Sequence, residues 1–246
     1  MTQIAVDQQI WNYQEIGGGK ETPILILHGW GRSGEEWVPI GKELAKRSQR
    51  KIYVLDLPGF GGSSMPEVKS IEEYTELVVQ FCRYMDIEKV TIVCHSLGAR
   101  VGIVWTSGKN KRMVEKLILV DPVGPKEFSV KRMCFALLAG IFRFVPERIR
   151  RNLIISFLDE DYRQMPKLRK LYRVVVAEDL QSRLFLIKSP VKLIWGEQDK
   201  IVPIRMVKVY RKYVSDLEVR IVWEAGHDPH LTHPRELLRI LEEIWI

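Results

Sequence analysis

The sequence predicts an α/β fold, with a mostly parallel, doubly wound sheet and helices on both faces. Three observations predict it. First, the apolar runs Ile24 to Leu27, Ile52 to Leu55, Val90 to Val93 and Leu117 to Val120 recur at intervals of about 30 residues. Second, segments with helical periodicity, such as Glu72 to Met85, lie between them, and strands alternating with helices wind a parallel sheet through crossovers. Third, Val90-Thr91-Ile92-Val93 runs through Cys94-His95-Ser96-Leu97-Gly98 into a stretch rich in small residues, Gly98-Ala99-Arg100-Val101-Gly102-Ile103. A buried strand there turns sharply into a helix with a serine at the apex.

The remaining elements follow in order. Ile4 to Ile16 alternates apolar and polar residues and stops at Gly17-Gly18-Gly19, which reads as one or two antiparallel edge strands. The strand Pro23 to Leu27 leads into His28-Gly29-Trp30-Gly31, and the strand Ile52 to Leu55 leads into Asp56-Leu57-Pro58-Gly59-Phe60-Gly61-Gly62-Ser63. Asp56 reads as structural, a cap on the Leu57 to Gly62 loop. Pro122-Val123-Gly124-Pro125 breaks the alternation. From there to Pro190 the patterns are helical: Val130 to Phe144, Pro146 to Phe157 and Pro166 to Ile187. Strand character resumes at Val191 to Trp195, followed by Gly196-Glu197-Gln198-Asp199, and at Leu217 to Trp223, followed by Ala225-Gly226-His227. Pro234 opens a closing amphipathic helix over Arg235 to Ile246.

A serine at such an apex becomes a nucleophile only with a base to take its proton and a carboxylate to orient the base. Asp199 and His227 each fall just past the C-terminal end of a strand, and such ends converge on one crevice in a parallel sheet. The five histidines are His28, His95, His227, His230 and His233, and none lies between His95 and His227. His227 is read as the base; His230 and His233 are read as structural. Asp121 also follows a strand and is the rival to Asp199 for the acid. A metal held by His227, His230 and His233 beside Asp228 would lack the cysteine cluster or HExxH helix that supports such sites, so no metal is expected.

His28-Gly29-Trp30-Gly31, Asp56 to Ser63, His95-Ser96-Leu97-Gly98, Gly196 to Asp199 and Ala225-Gly226-His227 together resemble, in their order, the α/β-hydrolase fold superfamily. The first two segments are similar to its serine carboxylesterase branch, which includes the pimeloyl-carrier-protein methyl ester esterases. C–C bond hydrolases share the same triad. Cys94 departs from the pattern, which has glycine at the first elbow position. The resemblance implies a core of residues 1–125 and 188–246 with a helical cap at 126–187. It implies a triad of Ser96, His227 and Asp199, the spacing favouring Asp199 over Asp121 and pointing Glu197 elsewhere. The backbone amides of Trp30 and Leu97 would form the oxyanion hole. His28, Trp30, His95, Phe135, Leu138 and Phe142 are the candidate pocket residues. No metal or organic cofactor is implied.

The expected activity is cleavage of a carboxylic ester through an acyl-enzyme. A serine at the elbow argues against the dehalogenase and epoxide hydrolase branches, whose nucleophile is aspartate. Thioesterase and C–C hydrolase chemistry are the near alternatives. A triad-bearing small-molecule receptor or a cofactor-free oxygenase is the alternative from another class.

Three cysteines, widely spaced and odd in number, give no disulfide framework and point to a reducing cytoplasm. Met1 to Asn12 lacks the basic start and apolar run of a signal peptide, and no long apolar stretch provides stable membrane anchoring. Residues 126–187 hold 13 Lys and Arg against 7 Asp and Glu, nearly all of the chain's net charge of +7. That face could draw an anionic carrier protein or a coenzyme A ester, with plain solvated surface as the default. Nucleic acid is not expected, because no binding motif accompanies the charge.

Overall fold

In the computed structural model, which describes residues 1–125, 166–176 and 178–243, eight strands build one sheet. They are β1 (Thr2–Val6), β2 (Gln9–Ile16), β3 (Ile24–Leu27), β4 (Ile52–Leu55), β5 (Val90–His95), β6 (Val114–Val120), β7 (Val191–Gly196) and β8 (Leu217–Val222). Their order is β1-β2-β4-β3-β5-β6-β7-β8. β1 and β2 pair antiparallel, as do β2 and β4, and every pair from β4 onward is parallel. The alternating N-terminal segment therefore becomes two strands, reversing at Asp7, whose φ is 52°.

The described helices are α1 (Val38–Ser48), α2 (Ile71–Tyr84), α3 (Leu97–Ser107), α4 (Arg169–Val176), α5 (Gln181–Leu184), α6 (Val207–Tyr213), α7 (Pro229–Thr232) and α8 (Pro234–Glu242). Period-two alternation in the strands decides which helices cover which face. Leu25 and Leu27 of β3 point to one face, where they join Val78 and Phe81 of α2, Trp105 of α3 and Tyr210 of α6. Ile24 and Ile26 point to the other, with Ile40 and Leu44 of α1 and Leu237 and Leu241 of α8. Fully burying side chains of this size stabilises the fold by about 1.5–3 kcal/mol each before the entropy of ordering is counted. α2 begins where Ser70 accepts the Glu73 N–H, while the Glu73 carboxylate accepts the Lys69 N–H, so side chains satisfy both donors.

Two expectations change in detail. The single helix predicted over Pro166 to Ile187 is two short helices, α4 and α5. The Asp179 side chain accepts the Gln181 N–H, an Asx turn that competes with a continuing helix. β8 stops at Val222, because Glu224 adopts a left-handed φ of 60°. The helices expected over Val130 to Phe144 and Pro146 to Phe157 lie outside the described residues, as does most of the expected cap at 126–187. Among the described residues, no helix is long and apolar enough to cross a membrane.

The Arg100 side chain is buried in α3 at 1% exposure, with no carboxylate bonded to it among the described residues. It donates instead to three backbone carbonyls: Gly124 at 3.2 Å, Val175 at 2.6 Å and Glu178 at 2.6 Å. Burial pulls its guanidinium down to about 10.

Candidate active site

Ser96 joins β5 to α3 with φ 48° and ψ −108°, a setting rare for a residue with a side chain. Such strain costs about 1–3 kcal/mol and persists only where the surroundings over-determine it. Here they do. The Ser96 N–H donates to Val120 O at 3.1 Å, and its carbonyl accepts from Ala99 at 3.1 Å and Val123 at 3.2 Å. Strand and helix approach so closely that a Cβ at Gly98 would lie 2.5 Å from Leu27 O. The departure at Cys94 is accommodated one helical turn further on. A Cβ at Gly102 would lie 2.7 Å from Cys94 Sγ, so glycine in α3 opens the space that the thiol fills.

His227 stands between Ser96 and Asp199. Its Nε2 is 2.9 Å from Ser96 Oγ and its Nδ1 is 2.7 Å from Asp199 Oδ2. A carboxylate accepts only, so this network puts the ring proton on Nδ1 and leaves Nε2 to accept from the hydroxyl. The other Asp199 oxygen accepts the N–H groups of Ile201 at 2.8 Å and Val202 at 2.9 Å. That side chain is fully buried, and the His227 side chain is one-tenth exposed. The loops after β7 and β8 interlock to hold the pair. Gln198 donates to Ala225 O at 2.8 Å, and a Cβ at Gly196 would lie 2.2 Å from Gly226 O.

Of the two acids left by the sequence, Asp199 makes the bond to His227. Asp121 is buried beside the pair, and its Oδ1 accepts the Gly196 N–H at 2.8 Å. Burial first, then the neighbouring Asp199, makes the carboxyl hold its proton well above the usual carboxylate range, against the pull of the Gly196 N–H. Glu197 does point elsewhere, accepting the Glu224 N–H at 3.1 Å. Asp56 caps its loop: it accepts from Gly34 at 2.7 Å, from Gly62 at 2.8 Å and from Asn12 Nδ2 at 2.6 Å.

The His28 to Gly31 loop presses on the elbow. A Cβ at Gly29 would lie 3.2 Å from Ser96 Cβ and 2.9 Å from His95 Nδ1. The Gly98 N–H donates to His28 O at 3.1 Å. Leu97, at the first position of α3, has an N–H with no intrahelical acceptor. Trp30 sits on the same loop before Gly31, which takes φ 69°. The Trp30 ring packs edge-on against Phe60 and Tyr172, both at 5.0 Å between centroids.

His28 and His95, expected along the pocket, are both buried. His28 spends both ring nitrogens on backbone. Its Nδ1 donates to Gly29 O at 2.7 Å and its Nε2 accepts from Leu57 N at 3.0 Å, and burial lowers the ring to about 4. His95 Nε2 donates to His227 O at 2.8 Å, steadying the loop that carries His227. Phe135, Leu138 and Phe142 lie outside the described residues. His230 gathers with His95 and Asp228 instead of with His227 and His233. It stacks on Trp37 at 4.4 Å, and Asp228 is paired with Arg32 at 2.7 Å. Burial, then Arg32, brings the His230 ring down to about 3. Phe60, Tyr172 and the Arg32–Asp228 pair carry no signal in spacing. Phe60 was visible only as part of its loop motif.

A family model described as the alpha/beta hydrolase family matches residues 24–240. The dihydrolipoyllysine-residue acetyltransferase component of the acetoin cleaving system of Pseudomonas putida is 25% identical over 90% of this chain and 63% of its own length. This chain thus spans less than two thirds of that relative. A monoacylglycerol lipase of Bos taurus is 25% identical over 91% of this chain and 75% of its own. Among solved structures, a putative lipase from Acinetobacter baumannii superposes with a TM-score of 0.78 at 19% identity, over 99% of this chain and 89% of that one.

Proposed function

We propose that this chain, which belongs to the alpha/beta hydrolase family, is a serine hydrolase that cleaves carboxylic esters. The observation that carries the reading is His227 bridging Ser96 Oγ and Asp199 Oδ2 at 2.9 Å and 2.7 Å. Ser96 Oγ attacks the ester carbonyl while His227 Nε2 takes its proton. Asp199 holds the Nδ1–H tautomer and stabilises the imidazolium. The N–H groups of Trp30 and Leu97 receive the oxyanion, where preorganised donors act most strongly. The proton on Nε2 passes to the departing alkoxide, leaving an acyl-Ser96. A water then gives its proton to Nε2 and attacks the acyl carbon; the proton passes from Nε2 to Ser96 Oγ as the acyl–Oγ bond breaks and the acid leaves.

Residues 126–187 serve as the cap, and Tyr172 on α4 supplies part of the pocket wall through its edge-on contact with Trp30. The lipase name borne by one relative supports ester chemistry over the other reactions run by this triad.

The test is sustained turnover of a short-chain p-nitrophenyl ester by the whole chain, compared with Ser96→Ala. The expected loss is about 10⁴- to 10⁶-fold in kcat, with the fold retained. Retention of more than about a tenth of the activity would remove Ser96 from the role. A single burst followed by a stable adduct would favour a receptor.

A further inference from the structure

We propose that Asp121 is a positioning residue that stands in the site as a neutral carboxylic acid beside Asp199, leaving Asp199 alone to carry the charge that orients His227. The inference deepens the triad reading above and rests on it. Asp121 follows β6 at φ 43°, and its carboxyl is completely buried. Its Oδ1 accepts from Gly196, the last residue of β7 and three positions before Asp199. One Asp121 oxygen, one Asp199 oxygen and one His227 nitrogen all lie within 4.8 Å of one another.

The two carboxyls are supplied very differently. Asp199 receives three donors: Ile201 N–H, Val202 N–H and His227 Nδ1–H. Asp121 receives one, and its Oδ2 has no hydrogen-bond partner among the described residues. The charged groups that face Asp121 are Asp199, the His227 ring and, further off, Asp228. Among the described residues, the one group facing Asp121 that can become a cation is the His227 ring, and Asp199 already bonds it. Two buried carboxyls this close retain a proton between them, and it settles on the one with fewer donors. Oδ2 of Asp121 is the oxygen left to carry it. The site then holds one negative charge, and the imidazolium formed in the reaction is balanced one to one.

The test compares Asp121→Asn and Asp121→Leu in the whole chain, with p-nitrophenyl acetate over a range of pH. Asparagine is neutral and keeps an oxygen to accept the Gly196 N–H, so kcat should fall only about threefold and the midpoint of the acidic limb should stay in place. Leucine also removes the acceptor of the Gly196 N–H, three residues before Asp199, so kcat should fall about 30-fold with KM little changed. An acidic midpoint that drops by about one pH unit in Asp121→Asn would mean that an anion had been lost, and overturns the proposal. Equal rates in the two variants overturn it as well, since the side chain would then position nothing through Gly196.

A second readout needs no turnover. Carbon-13 NMR of aspartate-labelled protein should show one carboxyl line at the neutral-acid position that does not titrate between about pH 5 and pH 8 and is absent in Asp121→Asn. If the line lost in Asp121→Asn lies at the carboxylate position, the proposal is overturned. If the chain hydrolyses no ester, the triad reading fails, and this line still decides the charge on Asp121.

Discussion

Two aspartates follow strands of the same sheet, β4 and β6, and their surroundings give them opposite characters. At the end of β4, Asp56 meets three donors, from Gly34, Gly62 and Asn12. At the end of β6, Asp121 meets one, from Gly196. Both are almost wholly buried. Residue type and topological position are the same; what differs is the number of N–H groups that the loops turn inward. Asp56 fastens the bend through which the antiparallel edge joins the parallel sheet. Asp121 stands against Asp199, where a second negative charge would have no cation of its own. A buried acid is therefore understood by counting its donors before asking what it does.

The largest effect that tests this contrast falls on the third acid. Asp199, like Asp56, receives three donors, but one of them is His227. Asp199→Asn should lower kcat by about 10³- to 10⁴-fold in the ester assay while leaving the unfolding midpoint nearly in place, because asparagine disturbs the tautomer more than the packing. If Asp121→Asn proved the more damaging of the two, the roles assigned to the pair would be reversed.

Asp56→Ala should be the most damaging of the acid substitutions for stability. It strands three donors at once, two of them backbone, and should cost about 3 kcal/mol in urea unfolding. A loss under about 1 kcal/mol would mean that the loop finds other acceptors, and the contrast would lose its structural half.

The next effect is pH-dependent. His28 and His230 are held neutral, lowered by burial to about 4 and about 3. Below about pH 6.5 the unfolded chain binds protons that these folded rings refuse, so stability should fall on acidification at about 1.4 kcal/mol per pH unit for each ring. Unfolding midpoints measured from pH 7 down to pH 5 check this; because burial also holds His95 well below the usual histidine range, His28→Asn should remove about a third of the slope.

The smallest effect has the opposite sign. Asp121 is raised, so above about pH 4 the folded state keeps a proton that the unfolded chain has released, and stability contributed at low pH is lost as pH rises. Asp121→Asn should therefore become more stable relative to the parent chain between pH 5 and pH 8. A constant difference over that range would show that both states titrate alike.

Much of the layout was legible in the sequence, because strand ends are marked by composition. β-branched and leucine runs stop at Gly29, Asp56, Ser96, Asp121, Gly196 and Gly226, and a parallel sheet gathers such ends. Asp56 was readable as a cap for the same reason. The place of Asp121 was not, since its state depends on one amide of Gly196 and on Asp199, 75 and 78 residues away. The Cys94–Gly102 fit was hidden too: both residues are plain to see, but only the distance between strand and helix pairs them. Tyr172 lies in a helical pattern that speaks only of its own amphipathic face, so its meeting with Trp30 had no local signature. The break between α4 and α5 came from a single side-chain bond that outweighed periodicity.

Arg100 has a consequence for how such a chain can be rebuilt. Its guanidinium holds Gly124 on one side and Val175 and Glu178 on the other, so two stretches distant in sequence meet at one clasp on α3. To the sheet, what runs between is a closed loop whose ends are already fastened. Closing such a loop costs only about 0.6 kcal/mol more for each doubling of its length. The core can thus tolerate exchange of the intervening segment for one of different length or character, as long as both ends still offer their carbonyls to Arg100. That makes the clasp a natural splice point.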